Sequence, residues 1–236
     1  MDAPVLLVGS AHVVDIAAPV RAALSSRVLD AVAVELDAER AQVLLSPEGP
    51  GRRSGSAPLF ARLWGVVQRR LGAEIGGGAP GGEMKAAMEF AKERSLPVFL
   101  IDDPIRVTLA NLVRSMPFKE RVTLLASAVV GLFLPSRVVN REMDRYAESP
   151  TEYTEELRRV SPTVARVLLD DRNEHMADRL AELRRQGYGR MAAVVGDAHL
   201  DGLRAALARR AVPSEVVRFA NLRGATAPTG PSPGSS

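Results

Sequence analysis

Two of the chain's three histidines stand in matched settings, Gly9-Ser10-Ala11-His12 and Gly196-Asp197-Ala198-His199. Each tetrapeptide follows an apolar run of β-forming residues and precedes a helical pattern. Taken singly, such a histidine reads more readily as only the cap of the helix that follows. The matched pair is what singles them out, because two imidazoles joined by a carboxylate make a ligand set for zinc, iron or manganese. Carboxylates are available at two similar places. Glu35 ends the run Ala31-Val32-Ala33-Val34, and Asp102-Asp103 ends Pro97-Val98-Phe99-Leu100-Ile101. A cation so held would lower the pKa of its bound water to ~7 and polarise a carbonyl. That chemistry also needs a carboxylate to handle the proton, and Glu35 or Asp197 could do it.

These groups can meet only if the elements bring them to one edge. Val5-Leu6-Leu7-Val8, Ala31 to Val34, Pro97 to Ile101 and Met191 to Val195 are short apolar runs of the buried-strand kind, and Glu215 to Phe219 is a candidate fifth. Helical spacing occupies Asp15 to Ser26, Asp37 to about Leu45, Leu59 to Leu71, Glu83 to Arg94 and Leu200 to Arg210. Strand and helix in alternation predict a parallel sheet. The expected fold is α/β, a mostly parallel central sheet flanked by helices, with a helical insertion at about 105–186 broken at Pro117, Pro135, Pro150 and Pro162. In a parallel sheet all strands end at one rim, where ligands bind. That rim would receive His12, Glu35, Asp102-Asp103 and His199 together.

Other candidates carry weaker signals. Glu83 follows Gly81-Gly82 at a helix start, where a carboxylate relieves unpaired N–H groups; the glycines could instead form an anion loop. They lack the Lys-Ser/Thr of a phosphate-binding loop. Arg172-Asn173 lies in the charged stretch Leu168 to Arg184, whose ordinary reading is a solvated face. His175 has no matching context and reads as surface or partly buried. No G-x-S-x-G elbow occurs, and Ser10 stands too near His12 in sequence to be activated by it.

Composition narrows the classes. The 236 residues contain no cysteine, which removes disulfides, thiolate metal sites and a cysteine nucleophile. Aromatic residues make up 4%, and the basic excess, 31 against 28 acids, is scattered along the chain, so no nucleic acid partner is expected. The longest apolar run, Val122 to Pro135, falls short of the ~20 residues a membrane span requires and reads as a buried helix. Its segment Leu124 to Leu134 is apolar all round and would pack inside the protein or across a homodimer. Met1-Asp2-Ala3-Pro4 lacks the basic start of a signal peptide, so a soluble, cytoplasmic protein is expected. The organisation expected is a single domain at 1–222 and a disordered tail at 223–236.

In combination, VGSAH (8–12), VAVELDAER (32–40), GGEMKAAMEFAKE (81–93), LIDDPIRVTL (100–109), DDRNEHMADRL (170–180) and VVGDAHLDGL (194–203) resemble the TraB/PrgY family, within a wider group of Tiki proteases, ChaN-like proteins and erythromycin esterases. The resemblance runs to about Phe219. It implies a metal-dependent, peptidase-like hydrolase acting on a peptide or another small amide or ester. A divalent metal ion (Mn, Co or Zn) would be held by His12, His199 and Glu35, with Glu35 as third ligand or general base. Glu83, Arg172 and Asn173 would be catalytic, Glu83 as ligand or proton carrier and Arg172 toward substrate or oxyanion. The chain departs from the family where Asp103 and Asn111 replace arginines, leaving Arg106 or Arg172 to compensate. That departure favours the alternative of a non-enzymatic protein that sequesters a peptide in the same crevice. Many relatives carry apolar C-terminal segments; here the sequence ends in a polar tail.

Overall fold

A computed structural model of the chain describes residues 3–10, 17–45, 81–123 and 150–224. Five strands, β1 (Val5–Ser10), β2 (Ala31–Val34), β3 (Val98–Leu100), β4 (Met191–Gly196) and β5 (Ser214–Val217), form one sheet. Their order is β3-β2-β4-β1-β5, and every pairing is parallel. The strands are Val-, Ala- and Leu-rich without polar alternation because helices cover both faces. β1, β2 and β4 are buried throughout.

Side chains alternate between two cores, as the pleat requires. Leu6, Val8, Val32, Val34 and Val194 meet α1 (Ala17–Ser25) and α3 (Gly82–Glu93) through Val20, Leu24, Met84 and Phe90. On the opposite face Leu7, Ala33, Ala193 and Val195 meet α7 (Asp171–Arg185) and α8 (Leu200–Arg209) through Met176, Leu180, Leu200 and Leu203. Each large side chain so buried contributes about 1.5–3 kcal/mol. The fourth strand in sequence thus supplies the middle of the sheet, with β4 between β1 and β2.

Between these layers run α2 (Ala38–Leu45), α4 (Ile105–Ser115), α5 (Pro150–Val160) and α6 (Pro162–Ala165). A five-residue π-turn, Arg166–Asp170, joins α6 to α7. The expected helical insertion is present where it is described, held by Leu112, Met116, Val164 and Val167. Pro150 and Pro162 open helices rather than merely break them, since a first-turn residue needs no N–H partner. Phe219 also differs from expectation: β5 ends at Val217 and Phe219 begins α9 (Phe219–Gly224). The stretches Leu59 to Leu71 and Leu124 to Leu134, and the residues after 224, lie outside the described residues. Among the described residues no helix is long and apolar enough to cross a membrane.

Candidate functional site

Because β1 and β4 are neighbours, their carboxyl ends stand side by side, Ser10 opposite Gly196. Glu35 ends β2 on the other flank of β4, and its own N–H donates to Val194 O at 3.0 Å. Its carboxylate is 5% exposed. Oε2 accepts from the Gly196 N–H at 2.7 Å. Oε1 accepts from Arg172 Nη2 and lies 3.4 Å from His199 Nε2. Glu35 and His199 therefore meet at the carboxyl rim. His12 lies outside the described residues.

Arg172 ties the rim together. A guanidinium has five N–H donors. Nε donates to Asp102 Oδ1 at 2.9 Å, and Nη2 donates to Asp102 Oδ2 at 2.7 Å as well as to Glu35. Nη1 donates to Leu168 O at 3.2 Å and to His199 Nε2 at 3.2 Å. All five are engaged. Burial opposes the guanidinium charge, but the Glu35 and Asp102 carboxylates outweigh it and raise the Arg172 pKa above its ordinary value. The solvated face expected for Arg172-Asn173 is overturned: Asn173 is 3% exposed, and the π-turn just before α7 supplies the carbonyl that Arg172 grips.

The Arg172 contact favours one imidazole tautomer. A guanidinium only donates, so His199 Nε2 accepts and the ring proton sits on Nδ1. Nδ1 then donates to Asn173 Oδ1 at 2.9 Å. Asn173 must turn its oxygen to the ring, and its Nδ2 faces Gly202, where a Cβ would stand 2.1 Å from it. Gly9 makes room in the same way for Asp197, whose Oδ1 lies 2.2 Å from where a Gly9 Cβ would be. Asp197 is buried and lies 3.6 Å from Arg218 Nη1, and Arg218 Nη2 also holds Asp201.

The acids after β3 divide. Asp102 is buried and joins Arg172 to Arg40. Asp103 instead faces His175 at 3.4 Å, each side chain 35% exposed. Arg40 is held by Asp37, which caps α2 through the Arg40 N–H at 2.8 Å and accepts from the Ile105 N–H at 3.1 Å. Burial would raise the Asp37 pKa; these N–H donors and the Arg40 guanidinium overcome it and leave the pKa lowered. Glu83 is buried in the first turn of α3, behind Gly81 at φ 91°. It belongs to the helix on the sheet face opposite α7. Ser10 Oγ is buried and, among the described residues, has no hydrogen-bond partner.

A divalent ion can be tested against these residues. An imidazole nitrogen and a carboxylate oxygen 3.4 Å apart have the spacing of adjacent ligands on one ion with bonds of ~2.0–2.2 Å. The Nδ1–H to Asn173 bond is the outer support that ligating histidines use. Against this, Arg172 already occupies the cationic position beside both donors. Among the described residues no three His, Asp or Glu are grouped to hold a metal. Two ligands therefore fit, and a third must come from elsewhere.

Asp37 and Arg40 are the participants that sequence reasoning missed. Their signal was an aspartate at a helix start with an arginine three residues on, a capping pattern that gives no hint of Asp102.

The sequence model of the TraB/PrgY/gumN family matches residues 2–210. An uncharacterized protein of Methanocaldococcus jannaschii is 33% identical over 215 residues, 86% of this chain and 53% of that relative. The chain thus spans about half the length of the curated relative it matches.

Proposed function

This chain belongs to the TraB/PrgY/gumN family, and from that premise we propose that its carboxyl rim is a hydrolytic centre acting on peptides or another small amide or ester. His199, Glu35 and His12 would hold a divalent cation there. The observation that carries the reading is the approach of His199 Nε2 to Glu35 Oε1, with Nδ1 locked by Asn173. Bound at such a site, a cation supplies a polarised carbonyl and a water of lowered pKa.

The chain's own residues would do the rest. Asn173 holds the imidazole so that Nε2, not Nδ1, meets the ligand. The Gly196 N–H fixes Glu35 Oε2; where Glu35 serves as general base instead of third ligand, Oε1 is the oxygen that takes a proton from the attacking water. That proton passes to the leaving nitrogen or oxygen as the water oxygen bonds to the carbonyl carbon and the scissile bond breaks. Arg172 is a positioning residue in this account, because its five N–H groups are already engaged. Glu83 remains a candidate proton carrier from the opposite face.

The same saturation of Arg172, together with Asp103 turned to His175, favours a second reading, a protein that sequesters a peptide without cutting it. Metal analysis of the purified protein and turnover on a peptide library separate the two. Bound metal with cleavage is expected. Peptide bound and recovered intact, with or without metal, would overturn hydrolysis. Glu35→Gln then assigns the role: loss of metal marks a ligand, retained metal with lost turnover marks the base.

A further inference from the structure

Between the last turn of α4 and the π-turn lies a cavity of about 240 Å³, lined by Asn111, Arg114, Ser115, Arg166, Val167 and Asp171. That is several times the ~30 Å³ share of one water. Its walls are held in place, since Leu112 and Met116 pack against Val164 and Val167. The π-turn shapes one wall. Arg166 and Asp171 are five residues apart, whereas neighbours on a regular α-helix surface are three or four apart. The i→i+5 spacing of the π-turn brings them together, and Arg166 Nη1 donates to Asp171 Oδ2 at 3.0 Å.

Donors are in excess around this space. The Arg114 guanidinium and the Asn111 amide have no hydrogen-bond or ion-pair partner among the described residues. Arg166 spends only Nη1 on Asp171 and keeps Nε and Nη2. The features that would repel an anion are already covered. Asp171 is paired with Arg166. The carbonyl end of α4, a partial negative charge, accepts from Arg121, whose Nε reaches Met116 O at 3.0 Å and Nη2 reaches Val113 O at 2.7 Å. Ser115 Oγ donates to Asn111 O. Glu120, the next acid along the chain, accepts from Thr163 N–H at 3.2 Å and Oγ1 at 2.9 Å. Guanidinium groups stay charged and present several N–H donors in a plane, which matches the acceptors of an oxyanion. We propose that this cavity binds an oxyanion, the phosphate or carboxylate group of a small ligand, held by Arg114 and Arg166 with the Asn111 amide as a further donor. None of its lining residues belongs to the Arg172 network, so the inference stands whether or not the rim is hydrolytic.

The test is calorimetric titration of the full chain, metal-free and at low ionic strength, with sodium phosphate and with sodium acetate. One saturable equivalent is expected for at least one of the two anions. Arg114→Gln should weaken that binding at least tenfold, and Asn111→Ala should weaken it less. Arg204→Gln, which removes an exposed arginine of α8, should leave it unchanged. All three variants are checked for the parent's melting temperature. Phosphate bound in preference marks a phosphorylated ligand, and acetate bound as well or better marks a carboxylate. No saturable binding of either anion, or equal affinity in the parent and Arg114→Gln, overturns the proposal. An equal loss in Arg204→Gln and Arg114→Gln shows only general attraction to a basic protein, and overturns it too.

Discussion

The two ends of the sheet use the same residue types to different effect. At the amino ends, Asp30 and Arg190 clip β2 to β4 through a backbone bond at 3.0 Å and side-chain contacts at 3.0 and 2.5 Å. That clip is open to solvent, with Arg190 half exposed. At the carboxyl ends, buried Asp102 and Glu35 interlock with a largely covered Arg172, with His199 and Asn173 joined to them. Exposed pairs add little to stability because water and salt compete for them. Buried networks cost much when one member is removed, because the partners stay behind unneutralised. A protein gains nothing in simple stability from the second arrangement that apolar packing could not supply. Its presence at the rim where parallel sheets bind ligands is the reason the proposed site is placed there.

The sharpest way to break the contrast is Arg172→Met. It leaves Glu35 and Asp102 buried without their guanidinium and should cost about 3–5 kcal/mol in urea unfolding. A melt like the parent's would show that the rim network holds nothing. Next is Gly202→Ala, whose new Cβ would press on Asn173 Nδ2 from 2.1 Å. Overpacking of this kind costs about 1–3 kcal/mol, and the displaced amide should release the His199 ring. Ring-proton NMR reads this directly: a His199 Nδ1–H signal protected from exchange in the parent and lost in the variant.

Acid sharpens the contrast more mildly. The Asp37 pKa is lowered from its ordinary 3.8, so the folded state holds its proton less tightly than the unfolded one. Its contribution is full above that ordinary value and disappears as pH falls through the lower folded value. Parent and Asp37→Asn should therefore converge in stability as pH drops from 5 toward the acid limit; a gap that stays constant would remove Asp37 from the account. Asp30→Asn is the smallest change, expected to leave thermal melting within the scatter of replicates despite its short contacts to Arg190.

What the sequence revealed follows from what each signal depends on. The strands were legible because Val5 to Val8, Ala31 to Val34 and Met191 to Val195 are apolar without a break, as only a doubly covered sheet allows. Glu35 and His199 were legible because they end such strands, and in a parallel sheet a strand's end is also its address. Arg172 and Asn173 were not legible from pattern: in a helix rich in Arg, Asp and Glu nothing local tells this inward-facing pair from solvated neighbours such as Glu174. The π-turn that aims them is equally silent in the sequence, and resemblance to relatives alone pointed to them. Nor could Gly9 and Gly202 be read, since each is small for the sake of a side chain far along the chain, Asp197 and Asn173.

The central claim is that His199 and Glu35 serve one cation, and titration of Mn²⁺, Co²⁺ and Zn²⁺ into metal-stripped parent and His199→Ala protein tests it most directly. The account predicts one equivalent of at least one of these ions bound by the parent and none at comparable affinity by the variant. Equal stoichiometry and affinity in the two proteins would contradict it.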